Sequence, residues 1–178
     1  MENVWFIADL HFNHKNIIKY CNRPFMTVEE MNEALIKNWN SVVKDEDIVF
    51  MLGDFAFASR TNIIEISKKL NGKKTIVLGN HDRIGPQFYY DGGFEFVSKY
   101  PIIYKEVFIL SHSPMFMQED GIYINIYGHV HDNPVYPNYT KESFCVSAER
   151  INYTPISFND ILSKLKTLRG DNDDGTED

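Results

Sequence analysis

Apolar positions along the chain fall into two alternating rhythms. Residues 4–8, 47–52 and 74–78 form short runs rich in β-formers with almost no polar alternation. That is the pattern of strands buried on both faces. Between them the spacing changes. Thr27-Val28-Glu29-Glu30 reads as a capping box, and Val28, Met31, Leu35, Trp39 and Val42 then recur in steps of three and four. A shorter helical stretch near 15–20 stops ahead of Asn22-Arg23-Pro24, because proline disfavours helix in the residue before it. Residues 62–70 carry Ile63, Ile66 and Leu70 on one face, and Gly72 ends them. Strand, helix, strand, helix, strand predicts βαβ units, a parallel sheet and right-handed crossovers.

The second half reads differently. Residues 94–97, 106–110, 123–127 and 144–147 are strand-like, with shorter gaps and little helical spacing between them. They predict a second sheet, mixed or antiparallel. A last helix opens near Ser157 and turns Ile161, Leu162, Leu165 and Leu168 to one side. The expected fold class is α/β, with two sheets flanked by helices. One domain over 1–169 is expected, followed by an acidic, disordered tail at 170–178.

Composition narrows the class. The chain has 178 residues, of which 43% are apolar and 24% charged, ordinary values for a globular domain. The net charge is −7, but five of the acids sit in the last nine residues, so the body is nearly neutral. No basic stripe of the kind a dedicated duplex-DNA binder needs is present, and strong nucleic-acid binding is not expected. No apolar run is long enough to span a membrane, and the N-terminus has no basic region of a secretory leader. Cys21 and Cys145 lack C-x-x-C spacing and read as small apolar residues in a reducing compartment, which predicts a cytoplasmic protein.

The polar residues gather where ligands bind in α/β folds, beyond the carboxyl ends of strands. Asp9 and His11 follow the first strand, Asp54 the second, and Asn80, His81 and Asp82 the third. His112 follows the 106–110 strand, and His129 and His131 follow the 123–127 strand. Of the chain's six histidines, only His14 lies outside these strand ends, three residues from His11. Aspartate, asparagine and imidazole without thiolate suit a borderline divalent ion and not a structural Cys-type zinc site. Seven candidate ligands exceed what one catalytic zinc uses and suit two metals sharing a carboxylate.

Asp9-x-His11, Gly53-Asp54, Gly79-Asn80-His81-Asp82, His112 and Gly128-His129-x-His131, in that order, resemble the five-block signature of the calcineurin-like metallophosphoesterases, most closely the short members without a cap domain. The resemblance implies a four-layer α-β-β-α sandwich and a dinuclear metal-dependent phosphoesterase. Such an enzyme hydrolyses a phosphodiester or phosphomonoester with metal-activated hydroxide. It also implies Asp9, His11 and His131 at one metal, Asn80, His112 and His129 at the other, and Asp54 between them. His81 would stand at the substrate, with Asp82 orienting its ring. The expected cofactors are two divalent ions, Mn²⁺ first, with Ni²⁺, Zn²⁺, Fe or Mg²⁺ as alternatives.

Arg23 is a candidate phosphate fork, since guanidinium matches phosphate in bidentate fashion. His14 is a candidate substrate contact by its nearness to His11. Tyr89, Tyr90, Tyr136 and Tyr139 lie in loop-like segments, as packing or base-stacking groups. The expected substrate is a phosphorylated small molecule or nucleotide. A phosphoprotein phosphatase, a nuclease of the same fold and a non-catalytic metal-binding scaffold are the other readings.

Overall fold

The computed structural model describes residues 3–57, 60–119 and 121–169. The acidic tail expected at 170–178 lies outside them. The chain runs β1 (Val4–Ile7), α1 (Ile17–Tyr20), α2 (Val28–Val42), β2 (Ile48–Met51), α3 (Arg60–Ser67), β3 (Lys73–Val77), α4 (Gln87–Asp91), β4 (Phe94–Ser98) and β5 (Ile102–Tyr104). There follow β6 (Phe108–Ser111), β7 (Ile124–Tyr127), β8 (Ser143–Cys145), a 3-10 turn at Ala148–Ile151, β9 (Ile156–Ser157) and α5 (Phe158–Arg169).

Two mixed sheets result, flanked by helices. The first has order β4-β3-β2-β1-β9, parallel except for β9; the second has order β5-β6-β7-β8, parallel except for β5. The runs of residues 4–8 and 48–52 are apolar throughout because each strand buries both sides. Ile7, Val49, Met51 and Ile76 meet Met31, Leu35, Trp39 and Ile63 of α2 and α3 on one face. Phe6, Phe50 and Val77, from alternate positions, face Phe108, Leu110, Ile124, Ile126 and Phe144 of the second sheet. Phe6 stacks on Phe50 with centroids 5.3 Å apart. Phe158, Ile161 and Leu165 of α5 close this inter-sheet core.

The capping box forms with one shift. Thr27 Oγ1 accepts the Glu30 N–H at 3.1 Å, but the Glu30 carboxylate reaches Met26 N, one residue before the cap. The elements without a sequence signal are short: α4 has five residues, β5 three and β9 two. Cys21 and Cys145 are free and buried, as their spacing implied. Among the described residues no helix is long and apolar enough to cross a membrane.

One feature of the topology places the site. Beyond β1, Ala8 bridges in parallel to Ser147, which follows β8. Ala8 N donates to Val146 O at 2.9 Å, and Ala8 O accepts from Ala148 N at 3.0 Å. The carboxyl ends of β1, β2, β3, β6, β7 and β8 therefore converge on one edge, half from each sheet.

Candidate metal centre

At that edge the backbone turns sharply to aim side chains inward. Asp9, His11, Asp54, His129 and His131 all have positive φ, between 48° and 71°. This left-handed region is uncommon for non-glycine residues and gathers at functional sites. The glycines beside them make room. A Cβ on Gly79 would strike Asp54 Oδ1 and stand 2.6 Å from Asp54 N. One on Gly128 would strike Ala8 Cβ and stand 2.8 Å from Asp9 Oδ2.

The first cluster is Asp9, His11 and His131, whose ligand atoms lie within 4.8 Å of one another. Asp9 is fully buried, and its Oδ2 accepts the His129 N–H at 2.7 Å. Asp9 Oδ1 and both ring nitrogens of His11 are buried without a hydrogen-bond partner among the described residues. Buried polar atoms are rarely left so. A divalent ion would take Asp9 Oδ1 and one of the two His11 nitrogens together, so this donor set fits a metal.

The second cluster is tighter. His112 Nδ1 lies 2.9 Å from Leu52 O and donates to it, which frees Nε2. Around that Nε2 stand Asn80 Oδ1 at 2.9 Å, His129 Nδ1 at 3.1 Å and Asp54 Oδ2 at 3.5 Å. Ligand atoms held at roughly 2.0–2.2 Å from one ion have such mutual spacing. The same Asp54 Oδ2 is 3.4 Å from His11 Nε2. Asp54 thus touches both clusters, the place expected of a bridging carboxylate.

Electrostatics sharpen the picture. Burial pushes the Asp9 carboxyl up to about 6, against the pull of His131 and His112. Burial, with His131 and Arg23 nearby, holds His11 down to about 2. His131 goes the other way. Burial opposes its charge, but hydrogen bonds to Cys21 and Glu149 and the charges of Asp9 and Glu149 carry it up to about 11.

His81 is not drawn into either ligand set. Its N–H donates to Asp54 Oδ1 at 2.9 Å. Its ring stands 5.3 Å from that of His11 and has no hydrogen-bond partner among the described residues. His14 stacks on Phe57 at 4.8 Å, with its ring 6.2 Å from His81. Burial and the neighbouring His81 and Arg23 lower its pKa.

Two expected roles are corrected by the geometry. Asp82 does not orient the His81 ring. Its Oδ2 accepts Asp54 N at 2.7 Å and Gly79 N at 2.8 Å, and its Oδ1 accepts Phe55 N at 3.1 Å and Tyr89 Oη at 2.8 Å. The turn after β3 folds the carboxylate back onto the strand ends, where it pins the backbone that carries Asp54. Arg23 is no open phosphate fork either. It is buried, and its five N–H groups are taken: Nε and one Nη2 hydrogen by Glu149 Oε1 at 2.9 and 2.8 Å, the other Nη2 hydrogen by Asp9 O at 2.7 Å, and the Nη1 pair by Leu10 O at 2.9 Å and Met31 Sδ at 3.4 Å. No donor is left for a substrate.

Glu149 was not anticipated. Its Oε1 meets His131 Nδ1 at 3.0 Å, while Arg150 Nε binds the His131 carbonyl. Both lie just past β8 at the same edge, so the strand-end rule, carried one strand further, would have found them. Cys21, His131 and Glu149 also lie within metal-ligand reach of one another. The Arg23 guanidinium, 2.8 Å from Glu149, already neutralises that carboxylate and disfavours a cation there.

Carboxylates and imidazoles gathered at the carboxyl edge of two facing sheets suit a divalent-metal centre. The chain matches the calcineurin-like phosphoesterase family over residues 2–133 and belongs to that family. It is 41% identical over 186 residues to the uncharacterized protein MJ1445 of Methanocaldococcus jannaschii, covering 97% of this chain and 98% of that protein. It is 34% identical over 110 residues to the gene 66 protein of Mycobacterium phage L5, covering 60% of this chain and 52% of the phage protein. Among solved structures, the protein of unknown function AQ665 from Aquifex aeolicus is similar with TM-score 0.72 and 28% identity, over 92% of this chain and 100% of that one. The Pseudomonas putida nuclease MPE shares the fold with TM-score 0.50 and 22% identity, over 72% of this chain and 61% of the nuclease chain.

Proposed function

We propose that this protein is a dinuclear metal-dependent phosphodiesterase. One observation supports this above others: Asp54 Oδ2 sits 3.4 Å from His11 Nε2 and 3.5 Å from His112 Nε2, between two sets of inward-facing donors. Asp9, His11 and His131 would hold one divalent ion, and Asn80, His112 and His129 the other, with Asp54 shared. When bound, the ions supply Lewis acidity to the phosphoryl oxygens and lower the pKa of water. The mixed oxygen and nitrogen donors, without thiolate, suit a borderline divalent ion, and Mn²⁺ is the first candidate of the panel below.

The protein's own groups do the rest. His81, free of ligand duty and beside Asp54, donates a proton to the leaving oxygen. Asp82 holds the Asp54 backbone. Glu149 accepts from Nδ1 of His131, which would leave Nε2 available to an ion. The free cysteines suit a reducing compartment, and the activity is assigned to the cytoplasm.

The test is an activity panel on metal-reconstituted protein. Bis-p-nitrophenyl phosphate, p-nitrophenyl phosphate and cyclic nucleotides are compared with Mn²⁺, Ni²⁺, Zn²⁺ and Mg²⁺. The diester should turn over fastest, with Mn²⁺ the best activator. Absence of metal-dependent hydrolysis across the panel would refute the reading.

A further inference from the structure

We propose that the cleft beside His81 receives the substrate's leaving group, and that this group is a nucleoside; the proposal rests on the phosphoesterase reading. His81 stands between two environments. On one side its ring is 5.3 Å from that of the ligand His11. On the other it lines a cavity of about 370 Å³ formed with Phe57, Ile63, Arg83, Ile84 and Tyr89. That volume falls in the range of roughly 300–1,000 Å³ usual for small-molecule sites. A group that protonates the leaving oxygen must adjoin the space into which the leaving group extends. The cleft is therefore on the departing side of the phosphorus.

Its chemistry narrows the occupant. The floor is apolar: Ile63 and Tyr89 are buried, and the Tyr89 hydroxyl donates to Asp82. The wall is aromatic. Phe57 lies nearly parallel to His14, at 27°, and is 59% exposed, so a planar ring can extend the stack. Among the described lining residues the exposed cation is Arg83. Its Nε reaches Asn80 O at 3.3 Å, and its terminal nitrogens have no partner among the described residues. Among the described residues no carboxylate lines the cleft. A flat ring against Phe57, an apolar underside and an anion at Arg83 together describe a base and sugar carrying a further phosphate. A simple alkyl alcohol would leave the wall and the cation unused. A plain aryl group would leave Arg83 unused.

Binding tests this apart from turnover. Adenosine 5′-monophosphate and ribose 5-phosphate, in which an anomeric hydroxyl replaces the base, are titrated into Mn²⁺-treated protein by calorimetry. The nucleotide should bind at least about tenfold tighter, and Phe57→Ala should remove a preference of roughly 5- to 100-fold, the range for one stacked base. Arg83→Ala should weaken the dinucleotide pApA more than the mononucleotide. Both side chains are exposed, so the variants should melt with the parent. Equal affinity for the two phosphates, or a preference that survives Phe57→Ala, would overturn the proposal. If no ester is hydrolysed but the base preference stands, the phosphoesterase reading fails and the cleft assignment does not. Competition between pApA and longer single strands separates a small nucleotide from a strand end as the source of the nucleoside.

Discussion

Glu149 Oε1 stands 3.0 Å from His131 Nδ1 and 2.9 Å from Arg23 Nε. One buried carboxylate therefore holds a candidate ligand and a buried guanidinium whose other donors reach the carbonyls of Asp9 and Leu10. Such outer partners fix the tautomer and ring orientation of metal-ligating histidines. Glu149→Gln should lower affinity at the Asp9, His11 and His131 site by about 10–100-fold and spare the other site. Metal titration by calorimetry would show it. Equal loss at both sites, or none, would remove Glu149 from this role.

His81 and Asp54 should separate chemistry from metal binding. His81→Asn should keep two ions while slowing esters of poor leaving groups by about 10²–10⁴-fold, the range of a general acid. Activated p-nitrophenyl esters should suffer less, because nitrophenolate departs without a proton. Asp54→Asn should weaken both ions and all turnover. Elemental analysis beside a leaving-group series distinguishes the two variants. Equal slowing of good and poor leaving groups in His81→Asn would exclude proton donation.

The close approach at Gly79 gives a steric test. A methyl group there would press on Asp54, so Gly79→Ala should reduce metal content and destabilise the fold by about 1–3 kcal/mol. Gly85→Ala is the control, since its nearest neighbour would be 4.0 Å away. A thermal melt and a metal count on each would decide; similar behaviour of the pair would contradict the packing argument.

Far from the metals, Asp47 fastens the amino end of β1 to β2. Its carboxylate accepts Asn3 N at 2.9 Å, Trp5 Nε1 at 3.0 Å and Lys44 N at 3.0 Å. Burial alone would raise its pKa, but the hydrogen bonds from Lys44, Asn3 and Trp5 prevail and hold it below the usual value. A depressed carboxyl stabilises the fold fully above its unfolded pKa of about 3.9, and that contribution fades as pH falls through the lower folded value. Asp47→Asn should cost about 1–3 kcal/mol at neutral pH. It should cost less in acid, so urea melts of parent and variant should converge below about pH 4. Parallel curves would show that the charge does not matter.

What the sequence disclosed follows from what each feature depends on. The doubly buried strands and the polar blocks after them are local patterns, and the ends of β1, β2, β3, β6 and β7 carry Asp9, Asp54, Asn80, His112 and His129 where the spacing put them. Arg23 and Glu149 are another matter. They lie 126 positions apart, and only the tertiary fold pairs them. Nothing local distinguishes a buried arginine from an exposed one in Asn22-Arg23-Pro24. The direction of the Asp82 carboxylate likewise depends on how the turn after β3 closes. The strand pattern stopped short of Glu149 because its reading of 144–147 placed no polar block beyond.

The bridge from Ala8 to Ser147 brings strand ends of both sheets to one edge, and both donor sets straddle it. Asp9 and His11 follow β1, while His131 follows β7; Asp54 and Asn80 follow β2 and β3, while His112 and His129 follow β6 and β7. An ion in either set would be a cross-link between layers. Held by Asp9 and His131, an ion in the first set would close a chain loop of 122 positions, much as a disulfide closes a covalent ring. Loading should thus change how the molecule opens as well as how firmly it holds. Without ions, amide exchange in β5, β6, β7 and β8 should be separable from exchange in β1, β2 and β3. With ions bound, the two layers should exchange as one cooperative unit.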